Sequence, residues 1–314
     1  MNYSGRFTEA LRCVYNHGDI VSPRGMETKE VSPYTISVDP LKTLFIHPVR
    51  EVNYSFCFAE NLWYWSGRNS LSLLNQYNSN YKNFANDGML QGSYGPQILE
   101  QIRYVYETLL NDKDSRQAVI SLWRPNPRQA KDIPCTLIFH FMIRDGKLNM
   151  YITMRSNDVI WGQNYDIPSF SLILLAVAGM LRIKPGTLHL TANSLHLYER
   201  HYDLAQKILN KEDQFTNGEL IENDEISSLE EHMMWIEEIL RAHYLSSTLK
   251  DGFNLNDFNH VPKFYRQFIG MMHFYNVRKS NDCLTKLRLR NFMDEVNPFL
   301  SKIVHDKLTK TIQS

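Results

Sequence analysis

The run from Pro134 to His201 constrains this chain most. Two β-branched and aromatic octets, TLIFHFMI and KLNMYITM, flank Arg144-Asp145-Gly146. An Asp-Gly pair tolerates the positive φ angles of a tight turn, so the pattern predicts a hairpin. Ser169 to Leu181 is almost wholly apolar, and a helix apolar on every side is buried, which puts this one at the centre of a domain. Lys184-Pro185-Gly186 then returns the chain to a strand, Thr187 to Thr191. The same span holds Cys135, the cluster Arg155-Ser156-Asn157-Asp158, the run GQNYDIPSF from Gly162 to Phe170 and SLHLYERH from Ser194 to His201. So many reactive and charged side chains predict a site as well as a core.

Before this span, Phe7 to Tyr15 reads as a short helix and Ser22-Pro23-Arg24-Gly25 as a turn leading to extended chain from Tyr34 to Val38. Glu51 to Trp65 reads as an apolar helix that surrounds Glu60 with aromatic neighbours. Gly92-Ser93-Tyr94-Gly95-Pro96 opens a helix whose stripe of Ile98, Ile102, Val105 and Leu109 follows helical spacing, and Asp114-Ser115-Arg116 ends it. Ala118 to Trp123 reads as a strand and Arg124 to Asp132 as a polar, proline-bearing loop. From Leu204 to Ser314 the pattern is helical, with a polar linker from Gln214 to Asp224. The organisation expected is a site-bearing domain over 1–205 with a helical extension over 206–314 packed on it.

The 34 basic and 34 acidic residues cancel, so no field of one sign recruits nucleic acid or an anionic membrane, and a small anionic ligand fits better. Four cysteines, Cys13, Cys57, Cys135 and Cys283, are widely spaced without a CxxC pair. That argues against a zinc site or a disulfide framework and for a reducing compartment. No apolar run approaches the ~20 residues that span a bilayer, and the amino-terminal stretch lacks an apolar signal core. A soluble, cytoplasmic protein is expected.

Cys135 follows Pro134 at the head of a strand. It becomes a nucleophile if arginines stabilise its thiolate, and Arg24, Arg116 and Arg155 are the candidates. A lone cysteine is more often an inert buried thiol. The forked donors of arginine match phosphate. His196 and Tyr198 share one face of a short strand and converge on one ligand or one core gap.

Pro134-Cys135, RSND at 155–158, the GxxxxI frame from Gly162 to Ile167 and the His-Leu-Tyr at 196–198, in this order, resemble the thymidylate synthase family over roughly residues 20 to 205. The resemblance implies an α/β (α+β) fold, a sandwich of a mixed sheet with covering helices. It also implies a homodimer, a pyrimidine nucleoside monophosphate as substrate, methylenetetrahydrofolate as one-carbon donor, and no metal. By the same resemblance Cys135 attacks ring carbon 6, while Arg24 and Arg155 hold the phosphate with Ser156 and the partner subunit's Arg116. Asn157 binds substrate, and His196 and Tyr198 hold the sugar hydroxyl. Asp158, Trp63 and Trp161 face the folate, Glu60 handles proton and water chemistry, and Tyr94, in the segment LQGSYG, assists proton removal at carbon 5.

Three departures refine this. Asp166 stands where the family has the asparagine that reads uracil. An amide donates to the position-4 carbonyl and accepts from ring nitrogen 3, whereas cytosine presents the reverse pair, which a carboxyl matches if it shares a proton with the ring nitrogen. With RSND and SLHLYERH, this resembles the phage deoxycytidylate hydroxymethylases, which add water where thymidylate synthase adds hydride. Gln117 replaces a second arginine, and helices replace the family's strand-rich tail. The expectation is 5-hydroxymethylation of a cytidine monophosphate, dCMP over CMP, through a covalent adduct. The alternatives are a thymidylate synthase that tolerates Asp166, a CMP hydroxymethylase, a non-catalytic nucleotide- or RNA-binding relative, and Asp166 as a mere helix cap near Pro168.

Overall fold

Helix α1 (Tyr3–His17) is followed by strands β1 (Asp19–Val21), β2 (Thr28–Val31), β3 (Tyr34–Val38) and β4 (Leu44–Ile46). Helices α2 (Tyr54–Trp65), α3 (Ser72–Tyr77) and α4 (Gly95–Asn111) come next, then β5 (Val119–Ser121), β6 (Thr136–Arg144), β7 (Lys147–Met154), β8 (Asn157–Asp158), α5 (Gly162–Met180), β9 (Lys184–Ala192) and β10 (Leu195–Tyr198). The chain ends with α6 (Tyr202–Leu209), β11 (Thr216–Gly218), α7 (Leu229–Leu249), α8 (Lys263–Val277), α9 (Cys283–Val296) and α10 (Pro298–Lys310). The structure is a computed structural model and describes residues 2–124 and 132–310. Residues 125–131, most of the loop expected from Arg124 to Asp132, lie outside the described residues.

The predicted hairpin is the spine of a five-stranded mixed sheet ordered β3-β9-β7-β6-β5, in which β7 and β9 run parallel and the other pairs antiparallel. Asp145 and Gly146 turn it with φ of 52° and 70°. Strand side chains alternate between faces. Phe139, Phe141, Met150, Ile152, Leu188 and Leu190 are therefore buried on one face, against which α5 packs. Ile138, His140, Met142, Tyr151, Thr153 and His189 stand half-buried on the other.

Helix α5 starts at Gly162, seven residues before the apolar run, and carries Pro168 inside it. Its first turns escape an apolar pattern because polar residues, Gln163, Asn164 and Asp166, are buried there. Asn164 donates to the Ile160 carbonyl at 2.8 Å and accepts from the Tyr3 hydroxyl at 3.0 Å. Asp166 thus lies inside the helix, and the N-cap Trp161 makes no side-chain cap. The capping reading is therefore set aside.

A second sheet, β1-β2-β10-β8, was not legible beforehand. It sets His196 opposite Glu30 of β2 and beside Asp158 of β8, and the turn between β1 and β2 carries Arg24 at φ 54°. The expected polar linker is pinned rather than free: β11 pairs with β4, and the Leu220 amide donates to the Leu41 carbonyl at 2.8 Å. Helices α7 and α8 pack on α2, and α9 packs on α8. No helix among the described residues is long and apolar enough to cross a membrane.

Candidate active site

The bond from the Arg155 amide to the Cys135 carbonyl, 2.8 Å, ties the head of β6 to the end of β7. Residues 20 apart in sequence thereby become neighbours. The Arg155 guanidinium donates through Nε to the Pro134 carbonyl at 2.9 Å and through Nη2 to the Ile133 carbonyl at 3.0 Å, and Nη2 reaches Sγ of Cys135 at 3.7 Å. Burial pushes the thiol pKa up, and Arg155 and, more weakly, Arg24 pull it back down. The thiolate-stabilising arginines expected are present in part, but burial dominates.

A cavity of about 330 Å³ opens above this thiol, lined among others by Arg24, Glu60, Trp63, Tyr94, Cys135, Arg155, Ser156, Asn157, Asp158, Asp166, His196 and Tyr198. A larger chamber of about 730 Å³ shares Glu60, Tyr81, Asp158, Gly162 and Asp166 with it and adds Phe56, Phe84, Trp161, Tyr165 and His201. The shared residues make one cleft of two chambers. Of the residues predicted from sequence, Trp161 falls in the second chamber and Trp63 in the first. Arg116 lines neither. Its carbonyl meets His140 Nε2 at 3.1 Å, beside the outer face of the five-stranded sheet.

Three carboxyls, those of Glu60, Asp158 and Asp166, line both chambers, and burial raises the pKa of Glu60 and of Asp166. Glu60 is buried on α2, and burial raises its pKa from 4.5 to about 7, against hydrogen bonds from Tyr81 and Tyr64 that lower it. The Tyr81 hydroxyl donates to Glu60 Oε1 at 2.6 Å. Asp166, at the cleft wall, is held well above the usual carboxylate range by burial and by the charge of Glu60. Its Oδ2 accepts from Asn157 Nδ2 at 2.7 Å. Two neighbouring acids desolvated in one site favour protonated forms, an arrangement that marks acid–base chemistry more often than structure.

The remaining side chains frame these groups. The Tyr94 hydroxyl accepts from the Thr136 amide at 3.2 Å, and its ring stacks on Tyr64 at 5.2 Å. Burial raises the pKa of this phenol, which favours its protonated form. His196 meets Tyr198 edge-on at 5.0 Å and lies 3.4 Å from Ser156 Oγ, with its pKa lowered by burial. Asp158 Oδ1 accepts from the Ile160 and Trp161 amides at 2.8 and 3.0 Å and so shapes the entry to α5. Trp161 lies under the Arg50 guanidinium at 4.4 Å and donates to His201 Nε2 at 3.1 Å. Tyr81, Tyr64, Arg50 and His201 went unread in the sequence. Tyr81 sits in the polar run NSNYKNFANDG, which has no periodicity to mark it.

A family profile described as thymidylate synthase matches residues 5–267. The chain belongs to the thymidylate synthase family. The match runs beyond residue 205 into α8. Over 270 residues the chain is 30% identical to a protein of Bacillus phage SP01 named deoxyuridylate hydroxymethyltransferase, covering 79% of this chain and 70% of that one. A protein of the same name from Pseudomonas phage M6 is 29% identical over 186 residues, 53% of each chain. Thermostable thymidylate synthase A from Bacillus subtilis superposes with a TM-score of 0.64 over 73% of this chain and 91% of its own, at 22% identity, and shows the shared fold. Thymidylate synthase-type enzymes use methylenetetrahydrofolate. The second chamber suits such a flat ligand: it is walled by Phe56, Phe84, Trp161 and Tyr165, and its volume falls in the roughly 300–1,000 Å³ of small-molecule sites.

Proposed function

We propose that this enzyme hydroxymethylates carbon 5 of a cytidine monophosphate, dCMP over CMP, with methylenetetrahydrofolate and water. The observation that carries the reading is Asp166, a carboxyl whose pKa burial raises, at the wall of the cleft that holds Cys135. Hydroxymethylation is supported by the names of the two phage relatives. The preference for deoxyribose rests on Ser156, which matches the residue of the deoxycytidylate hydroxymethylases and lies 3.4 Å from His196 Nδ1.

Cys135 Sγ adds to ring carbon 6, which makes carbon 5 nucleophilic. Arg155, whose Nη2 already lies 3.7 Å from Sγ, stabilises the thiolate as it forms, and Arg24 and Arg155 hold the phosphate. Asp166 shares its proton with ring nitrogen 3 and disperses the charge that builds in the ring during attack, so this contact strengthens in the transition state. When bound, methylenetetrahydrofolate supplies the one-carbon unit; Asp158, Trp161 and the aromatic wall of the second chamber would hold it. Tyr94 assists loss of the carbon 5 proton; Glu60, fixed by Tyr81, takes a proton of the water that completes the product, and departure of Cys135 Sγ from carbon 6 frees the nucleotide.

A second reading, hydroxymethylation of dUMP, is favoured by the relatives' names and by the chemistry of a neutral carboxyl, which also pairs with uracil. Kinetics on dCMP, CMP and dUMP, with the folate product identified, separate these readings. Release of tetrahydrofolate supports hydroxymethylation, and dihydrofolate would mean reductive methylation. Asp166→Asn should move preference towards dUMP by about ten- to hundredfold, since an unpaired group in a desolvated site costs roughly 1–3 kcal/mol. An unchanged ratio would remove Asp166 as the reader of the base.

We also propose a homodimer formed through the outer face of the five-stranded sheet, with Arg116 reaching the partner's phosphate site. The half-buried Ile138, Met142 and Tyr151 on that face and the position of Arg116 at its border support this.

A further inference from the structure

A neutral carboxyl carries one donor and one acceptor, and rotation of its proton exchanges them. Against a pyrimidine held at carbon 6 by Cys135, such a group pairs with cytosine in one state and with uracil in the other. Selectivity therefore requires something that fixes where the proton sits.

Asn157 is placed to do this. It is buried, 2% exposed, and β8 holds its backbone through the Asn157 amide, which donates to the Ser194 carbonyl at 2.8 Å. Its side-chain Nδ2 donates to Asp166 Oδ2 at 2.7 Å and to Met154 Sδ at 3.4 Å, while its Oδ1 has no hydrogen-bond partner among the described residues. An amide this deep with half its capacity unused is costly, which sets it apart from packing. In a neutral Asp166, the form that burial favours, the carbonyl oxygen is the better acceptor, so the Asn157 donor on Oδ2 favours the proton on Oδ1.

We propose that Asn157 is the positioning residue that sets base selectivity, holding Asp166 Oδ2 as an acceptor for an exocyclic amino group and Oδ1 as a donor to an unprotonated ring nitrogen. The donor–acceptor order then matches cytosine and opposes uracil. This assigns Asn157 a role through Asp166 rather than a contact with substrate, and it rests on Asp166 reading the base.

The test compares kcat/KM for dCMP and dUMP in the wild-type, Asn157→Leu and Asp166→Asn enzymes. Leucine keeps the approximate volume and removes the donor, and Asn157→Ala serves if the leucine variant does not fold. Loss of the lock should lower the dCMP-to-dUMP ratio about tenfold, the effect of one hydrogen bond in a desolvated site. A merely structural role would reduce turnover of both nucleotides equally and leave the ratio alone. An unchanged ratio with Asn157→Leu, while Asp166→Asn shifts it, overturns the lock and leaves the base-reading role standing. A raised ratio also overturns it, because the proton would then sit on Oδ2. No shift with Asp166→Asn removes the base-reading role itself, and the lock with it.

Discussion

Glu60 has aromatic neighbours on its own helix and Tyr81 across the cleft, and its pKa near 7 carries two consequences. The ionised form is penalised only in the folded state, so the penalty is absent below pH 4.5 and complete above about 7. Glu60→Gln should therefore gain stability relative to wild type between pH 4 and pH 8, by up to about 3 kcal/mol for a rise from 4.5 to about 7. Urea midpoints at the two pH values measure this. The second consequence concerns turnover: if carboxylate Glu60 is the base, kcat rises with pH through about 7. Tyr81→Phe removes a bond that favours the ionised form, so this limb should move up by about one pH unit, a charged hydrogen bond contributing roughly 1.5 kcal/mol. A pH profile that stays in place would show Tyr81 to be packing alone. Cys135→Ser should abolish exchange of the carbon 5 proton, which needs the covalent adduct, while Cys13→Ser, Cys57→Ser and Cys283→Ser retain it. The roles proposed for Cys135 and Asp166 come from the sequence, where each sits in a recognisable frame. Tyr81 was not, since a hydrogen bond between residues 21 apart leaves no local mark.

Helix α5 serves the site at one end and the core along its length. Its apolar run was readable, but its start was not, because Asn164 and Asp166 bond to Tyr3 and Asn157, partners outside the helix that no periodicity marks. At its far end Gly179 meets the loop after β11: a Cβ there would lie 2.4 Å from the Asn223 carbonyl oxygen. Backbone on both sides cannot yield as a flexible side chain would, so Gly179→Ala should cost about 1–3 kcal/mol, read as a lowered urea midpoint with the nucleotide preference unchanged. The hairpin β6–β7 was legible almost to the residue because its turn chemistry and its alternation agree. The sheet β1-β2-β10-β8 was not, since strands of two to four residues with mixed burial carry too little pattern, and pairing across some 165 residues decides them.

At the scale of the whole molecule, Arg116 tests assembly. Mixing an Arg116→Ala protein with a Cys135→Ser protein should restore part of the activity, because one site of the heterodimer then holds both lesions and the other holds neither. Heterodimers that form without recovery would place Arg116 outside the partner's site. By itself the sequence determined the central hairpin, the buried helix, the order of Cys135, Arg155, Asp166 and His196 along the chain, and the family they mark. These follow from local turn chemistry, apolar patterning and motif spacing. Only the tertiary structure decided that Asn157 grips Asp166, that Tyr81 grips Glu60, that the two acids share one desolvated cleft, and that Arg116 stands apart from it. Those facts depend on distances between segments far apart in the chain and on the removal of water from between them, which no local pattern records.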